Sequence, residues 1–390
     1  GALALEENLA SDNTAVGACA LRCNTTGTLN VAVGKSTLSS NTTGIRNTAV
    51  GFGAMLCNTG GSRSTSMGYF ALCANTTGNN NSAFGNNALR SNTTGGSNVA
   101  MGYNALLNNS TGNHNTGLGF KALYSNTTGA ANTAIGRYSL CTNTTGASNV
   151  AMGMYALRNS GTNSNLVAIG VNALSQAAVD NTTAVGFAAL QHLTTGTTNT
   201  ALGFRAVAKT TTGSSNTGLG RETLFCNTIG SNNTAVGAGV LFNNTTGSSN
   251  TAVGTNSLRS NITGIANTAV GYATLFDNTT GQKNVAIGSQ ALTNNTTGQS
   301  NTALGFQALF ANTTASSNTA LGTQALLCNT TGIRNVGLGN SALLNNTTGT
   351  CNVAIGVGAS RCLDGAFNTT AIGNAALYNS TTPWDLVAVG

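Results

Sequence analysis

A glycine recurs at every seventeenth position along nearly the whole of this chain, in a series that starts with Gly17, Gly34 and Gly51 and runs to Gly390. Only two steps of the series, over residues 1–16 and 170–185, are one position shorter. The chain is therefore 23 repeat units, two of which have lost one residue, and we expect that loss to fall in a turn. A fixed short period is the signature of a repeat architecture and overrides a domain count made from length. We predict a single repeat domain over residues 1–390.

The repeat, counted from its glycine as position 0, reads G-x-x-A-L-x-x-N-T-T-G-x-x-N-T-A-V, as in residues 254–270. A unit of this length is too short for a helical hairpin, which needs about 34 residues. The T-A-V-G segment has the β-branched content and the period of two of a strand, and N-T-T-G has turn composition. We predict an all-β parallel solenoid with one repeat per coil and two short strands, A-L and T-A-V-G. Stacked about 4.8 Å apart, 23 coils would extend about 110 Å.

In such a stack each position faces itself in the next coil, so asparagine amides can form hydrogen-bonded ladders. Position 15 is always Ala, Gly or Ser, as in Ala269. Either the coil is flattened or a neighbouring chain packs there. Leu at position 4 and the apolar residue at position 16 are a thin core for one chain. This favours a homo-oligomer.

The N-[TV]-A-[VIL]-G box, for example at residues 352–356, carries a family resemblance. The repeat resembles the 17-residue NTAVGxxALxxNTTG stalks of phage tail-fibre proteins, and it is similar to head repeats of trimeric autotransporter adhesins. This resemblance covers nearly the whole chain. It implies a parallel β-roll, assembly of several copies, a place outside the cell or on the cell or virion surface, and a role in attachment.

Charged residues make up 6% of the chain and the net charge is +7, which is too dilute for a dedicated nucleic-acid binder. No apolar run is long enough to span a membrane, so no membrane insertion is expected. The two histidines, His114 and His192, lie about four and a half coils apart, and the few acidic residues are scattered. We therefore expect no enzyme activity, no catalytic residues, no cofactor and no metal site.

Fourteen asparagines at position 7 lie in N-x-[ST] motifs, which are candidates for N-glycosylation on an exposed turn. The alternative is that N-T-T-G is only turn chemistry. The nine cysteines, an odd number, are interpreted either as small side chains in tolerant positions or as occasional bridges; Cys57 and Cys73 lie in adjacent coils, with side chains expected to face opposite ways. The candidate acceptors are Asn24, Asn41, Asn75, Asn92, Asn109, Asn126, Asn143, Asn244, Asn261, Asn278, Asn295, Asn312, Asn329 and Asn346.

Departures from the consensus concentrate near both ends of the sequence. Residues 1–12 carry Leu3, Leu5 and Leu9, and the last unit holds Pro383 and Trp384, the one proline and one tryptophan of the chain. These five residues are a candidate subunit junction, because neither end carries a polar cap and open ends favour head-to-tail stacking. The alternative is that both end units are degenerate caps.

The sequence thus predicts an extracellular structural fibre or filament subunit that assembles with copies of itself, end to end. The alternative function is an adhesin or tail-fibre stalk that binds cell-surface glycans. Ice binding is a third class, but the T-x-T strand pattern that it needs is missing from the consensus. The attachment alternative rests on aromatic residues at position 1, which can stack on sugars: Phe52, Tyr69, Tyr103, Phe120, Phe187, Phe204, Tyr272 and Phe306.

Overall fold

The computed structural model describes residues 1–176, 179–380 and 385–390, and it is an all-β parallel solenoid in which each repeat makes one coil. No helix occurs among these residues. The chain divides into two compact units, Gly1–Thr195 and Gly196–Gly390. Both are stacks of the same coil, which confirms the fold class predicted from the glycine period.

The first unit contains eleven three-residue strands, and consecutive strands within this unit pair in parallel. They are β1 (Thr14–Val16), β2 (Val31–Val33), β3 (Thr48–Val50), β4 (Thr65–Met67), β5 (Ser82–Phe84), β6 (Val99–Met101), β7 (Thr116–Leu118), β8 (Thr133–Ile135), β9 (Val150–Met152), β10 (Val167–Ile169) and β11 (Thr183–Val185).

The second unit contains twelve strands with the same parallel pairing. They are β12 (Thr200–Leu202), β13 (Thr217–Leu219), β14 (Thr234–Val236), β15 (Thr251–Val253), β16 (Thr268–Val270), β17 (Val285–Ile287), β18 (Thr302–Leu304), β19 (Thr319–Leu321), β20 (Val336–Leu338), β21 (Val353–Ile355), β22 (Thr370–Ile372) and β23 (Val387–Val389).

The short repeat at 170–185 keeps the stack in phase. Val167 pairs with Thr183, one position sooner than in an ordinary coil, so position 14 still faces position 14. The amide of Leu174 donates to the carbonyl of Ala189 at 2.9 Å, the same link that Leu157 makes to Ala173 in the preceding coil. The strands and Leu174 therefore stay in register despite the missing residue. The stretch in which it is lost, between Leu174 and Thr183, contains residues 177–178, which lie outside the described residues.

The prediction of a second strand at A-L is wrong. The leucine at position 4 has a left-handed backbone in nearly every coil, for example φ 51° at Leu38 and φ 52° at Leu89. This conformation costs about 1–2 kcal/mol for an L-residue. Complete burial of the leucine and a hydrogen bond from its amide to the next coil, as from Leu38 to the Ala54 carbonyl, offset that cost. The chain thus turns sharply where the sequence predicted an extended segment.

The interior of a coil is narrow and filled from within the chain. Position 15 points inward and is fully buried, as at Ala100 and Ala269. Gly117 shows what limits it, because a Cβ added there would lie 3.3 Å from Cγ of Leu106. Leucine of the same stack therefore explains the small residue at position 15, and of the two explanations the flattened coil is sufficient. Position 16 points outward, so its apolar residues are not core residues.

The register glycine is required on two counts. Gly102 has φ 134°, and a Cβ added to it would stand 2.7 Å from the carbonyl oxygen of Gly119 in the next coil. Real Cβ atoms do not approach a carbonyl oxygen so closely. By contrast, the glycine of N-T-T-G, such as Gly95, does not have a left-handed φ. It is small because the next coil and the Asn92 side chain crowd it, not because the turn needs positive φ.

Candidate functional site

Two buried asparagine ladders run along the interior of the coils. At position 7, Asn92 donates from Nδ2 to Oδ1 of Asn75 at 2.8 Å and to the carbonyl of Gly95 at 2.8 Å. At position 13, the backbone N–H of Asn47 donates to the side-chain Oδ1 of Asn30 at 3.0 Å. The predicted coil-to-coil asparagine hydrogen bonds are confirmed, and they satisfy amide groups that would be costly to bury unpaired.

The fourteen glycosylation candidates all belong to the position 7 ladder. Their side chains are fully buried, so the expectation that they lie on an exposed turn is wrong. In the folded coil Asn109, for example, uses Nδ2 to bond Oδ1 of Asn92 and the Gly112 carbonyl. A glycan attached to Nδ2 would have to displace these bonds and the packing around them. The same holds for Asn24, Asn41, Asn75, Asn92, Asn126, Asn143, Asn244, Asn261, Asn278, Asn295, Asn312, Asn329 and Asn346.

The candidate junction residues are only partly described. Leu3 and Leu9 are exposed, 48% and 87%, and Leu5 is half-buried in the first coil. Pro383 and Trp384 lie outside the described residues. The structure brings Leu3, Leu5 and Leu9 to one end of the first unit, and their role as a junction stays a prediction.

All nine cysteines are free thiols. The side chains of Cys57 and Cys73 nevertheless do not face opposite ways, since their thiols interact. The two coils are also joined there by a hydrogen bond from the Cys57 backbone amide to the Cys73 carbonyl at 2.9 Å. Burial, together with the neighbouring Cys57 thiol, raises the pKa of Cys73 to about 11. Burial likewise raises the pKa of Cys141. These thiols are protonated and weakly nucleophilic at neutral pH.

The two positions that flank the register glycine, 16 and 1, carry different side chains from coil to coil and are exposed to solvent. Position 16 presents half-exposed apolar side chains, such as Met67 at 49% and Met101 at 51%. Position 1 presents the aromatic residues predicted from the sequence, such as Tyr69 at 50%, and Phe52 stacks on Tyr69 at 5.5 Å. These rows are exposed apolar and aromatic surface that the core does not use.

One stretch of the first unit combines aromatic rings with cations in a cluster that we call the cation–aromatic ladder. Tyr138 stacks on Tyr155 at 5.7 Å between ring centroids. The Arg158 guanidinium lies 5.1 Å from the Tyr155 ring centre, and Lys121 Nζ lies 5.8 Å from that of Tyr138. The Arg137 guanidinium carbon lies 5.3 Å from the Tyr138 ring centre. The ladder consists of Phe120, Lys121, Arg137, Tyr138, Tyr155 and Arg158.

A polar recess of about 310 Å³ adjoins the Arg158 end of this ladder. It forms because small Ser175, 8% exposed, occupies position 5 in the coil that follows Arg158, so the outer row is notched there. We call it the Tyr155 recess; its lining is Tyr155, Arg158, Asn159, Asn172, Ser175, Gln176 and Gln191.

The sequence prediction relied on position 1 and missed positions 2, 5 and 6, whose side chains line the recess. A signal was present in the charge pattern. Residues 13–179 contain eight Lys or Arg residues and no Asp or Glu. Among the described residues the salt bridges are Arg22–Glu6 and Arg221–Glu222, so Arg158 has no carboxylate partner there.

No protein-family model matches the chain, and no curated protein matches it. Within the described ranges, no helix is long and apolar enough to cross a membrane. The same residues contain no group of three or more His, Cys, Asp or Glu side chains able to hold a metal ion. The resemblance to tail-fibre and adhesin repeats therefore rests on the repeat sequence alone.

Proposed function

We propose that the chain is a non-catalytic structural protein, a fibre or stalk element that works outside the cell or on a cell or virion surface. The observation that supports it most is the coil interior. Alanine, leucine and two asparagine ladders fill it and bond mainly to one another. Such a cross-section repeats coil after coil and suits length and stiffness rather than chemistry.

Assembly with further copies is part of the proposal. Within the described residues β1 pairs only with β2, and β23 pairs only with β22. Accordingly Ala15 and Ala388 are half-exposed, whereas the inward-pointing residue of every described strand between them is buried. Parallel strands add to one another edge to edge, and we propose that a second copy pairs with the β1 and β23 edges. The extracellular location is supported only by the resemblance to surface fibres.

Electron microscopy of the purified chain over a concentration series tests this function. Particles that lengthen with concentration are expected. Val387→Pro removes an amide donor from the β23 edge and should shorten them, whereas Val387→Thr keeps the donor and should not, since threonine is the common residue at that position. Particles of constant length in all three proteins would contradict end-to-end assembly. Compact globular particles would contradict the structural role itself.

A further inference from the structure

We propose that the Tyr155 recess and the adjoining cation–aromatic ladder bind an acidic polysaccharide, with a uronate sugar seated in the recess. The proposal goes beyond the structural role and does not depend on it. Arg158 would hold the sugar carboxylate and Tyr155 would carry the sugar ring. All the residues concerned lie in the first unit.

The charges at this site favour an acidic ligand. Arg158 is exposed and forms no ion pair with any described carboxylate. Lys121 and Arg137 lie in the two coils that come before it. A guanidinium in a planar fork is matched to a carboxylate, which it can bind through two parallel hydrogen bonds. Successive coils place these cations at intervals of about 4.8 Å along the stack, a step comparable to one sugar unit.

The Tyr155 ring offers a face on which a sugar ring can stack. Tyr138 covers one face of Tyr155, with 12° between the ring planes. The next coil carries Asn172 at the same position, so no aromatic ring follows Tyr155 in this row, and both residues line the recess. A pyranose ring packs its C–H face on an aromatic ring, and an aromatic platform of this kind provides apolar area at a low conformational-entropy cost.

The polar lining of the recess also suits a sugar. Four amide side chains, each with donor and acceptor capacity, surround the recess, and this suits sugar hydroxyls, which also donate and accept. The four amides are those of Asn159, Asn172, Gln176 and Gln191. The volume of about 310 Å³ lies at the lower end of small-molecule sites and suits one sugar residue.

A nucleic acid fits these observations less well. Eight basic residues spread over residues 13–179 are too sparse to neutralise a phosphate backbone, which carries a charge at every nucleotide. The amide-rich recess also has more hydrogen-bonding groups than a phosphate needs. A carboxylated sugar uses both the single guanidinium and the amides.

Calorimetric titration of the intact chain with a tetragalacturonate at about 0.15 M salt tests the proposal. Methyl-esterified tetragalacturonate, which lacks the charge, is the matched neutral probe. Arg158→Ala should weaken binding of the charged probe about tenfold or more. Arg90→Ala is the matched control, because Arg90 also lies at position 5 and covers an aromatic ring, that of Phe70 at 5.3 Å, away from the recess.

A second variant blocks the recess without a change in charge. Gln191→Phe places an aromatic ring at position 5, where Phe225 and Phe242 already stack at 5.2 Å in the second unit, so the fold accommodates it. This variant should also weaken binding about tenfold. An unchanged melting temperature confirms that each variant is folded.

The expected result is binding that needs the carboxylate, Arg158 and an open recess. Equal losses in Arg158→Ala and Arg90→Ala would overturn the proposal in favour of diffuse electrostatic attraction. Full binding by Gln191→Phe, equal binding of the esterified probe, tighter binding of single-stranded DNA, or no binding of tetragalacturonate would each overturn it as well. None of these results bears on assembly, which is measured separately by microscopy.

Discussion

The side-chain oxygen of Asn143 is buried without a hydrogen bond because Ser160 occupies position 7 of the next coil. Between Asn8 and Asn143 each position 7 amide donates to the one before it. Serine is too short to reach back, so both Oδ1 of Asn143 and Oγ of Ser160 remain unpaired. The ladder in the first unit ends at this pair.

Ser160→Asn should extend the ladder by one step. The new Nδ2 would donate to Oδ1 of Asn143, and satisfying a buried acceptor is expected to raise the free energy of unfolding by about 1 kcal/mol. Denaturant unfolding measures the change. Ser91→Asn, at the half-exposed position 6, is the control and should leave stability within about 0.5 kcal/mol of the parent chain. Equal effects of the two substitutions would show that the gap at Ser160 carries no energetic cost.

Asn92→Ala should break the ladder in its middle. The substitution removes the bonds of Asn92 to Asn75 and Gly95 and leaves the Asn109 amide with one partner fewer. A loss of about 2–4 kcal/mol is expected, since buried polar groups are left unsatisfied. Thermal unfolding of Asn92→Ala beside Thr94→Ala, at an exposed position of the same turn, checks this. Similar melting temperatures for both would refute a stabilising role of the ladder.

Ala269→Leu should be far more harmful than Thr255→Leu. Ala269 is fully buried at position 15, whereas Thr255 is exposed at position 1, where large residues occur in other coils. Overpacking of a filled core typically costs about 1–3 kcal/mol, and exposed substitutions stay within about 0.5 kcal/mol. Melting temperatures of the two variants measure the difference. If they coincide, the interior is not close-packed at position 15.

Alkylation of Cys73 should accelerate only in strongly alkaline solution. Burial, with a contribution from Cys57, raises its pKa from 9.0 to about 11, and the thiolate is the reactive form. The unfolded chain loses this proton first, so the thiol's contribution to stability is complete below about pH 9 and declines as pH rises towards 11.

Peptide mapping after iodoacetamide treatment at a series of pH values measures the Cys73 rate. Cys57→Ser removes one of the groups that raise the pKa of Cys73, so it should shift the rate profile to lower pH. A profile that stays in place would assign the whole shift to burial. Rapid alkylation of the folded parent chain near pH 8 would contradict the raised pKa.

The glycine period was enough to predict the solenoid and its register. Every coil has a glycine at position 0 because a side chain there would collide with the next coil, as at Gly102 and Gly119. The recurring asparagine at position 7 likewise predicts the hydrogen-bonded ladder, since identical residues meet when coils stack. These features are visible in the sequence because each follows from contacts between equivalent positions of adjacent repeats.

Side-chain direction within a coil could not be predicted in the same way. Position 16 is as apolar as position 4, yet Met101 points outward and Leu106 points inward. The decision rests on the left-handed turn at the leucine, which local propensity disfavours and which only burial and inter-coil hydrogen bonds stabilise. The same turn places asparagines of apparent surface motifs inside the coil.

The sequence by itself thus determined the repeat, its parallel stacking and the small residues at positions 0 and 15, since these depend on a period. The tertiary structure decided which groups face solvent and which side chains from different coils meet. Tyr155, Arg158 and Gln191 become neighbours only because Ser175 between them is small and the coils are stacked a few ångströms apart. A recess made by one short side chain in a regular row has no period, so the repeat pattern did not locate it, whereas the excess of Lys and Arg around it is visible in the sequence.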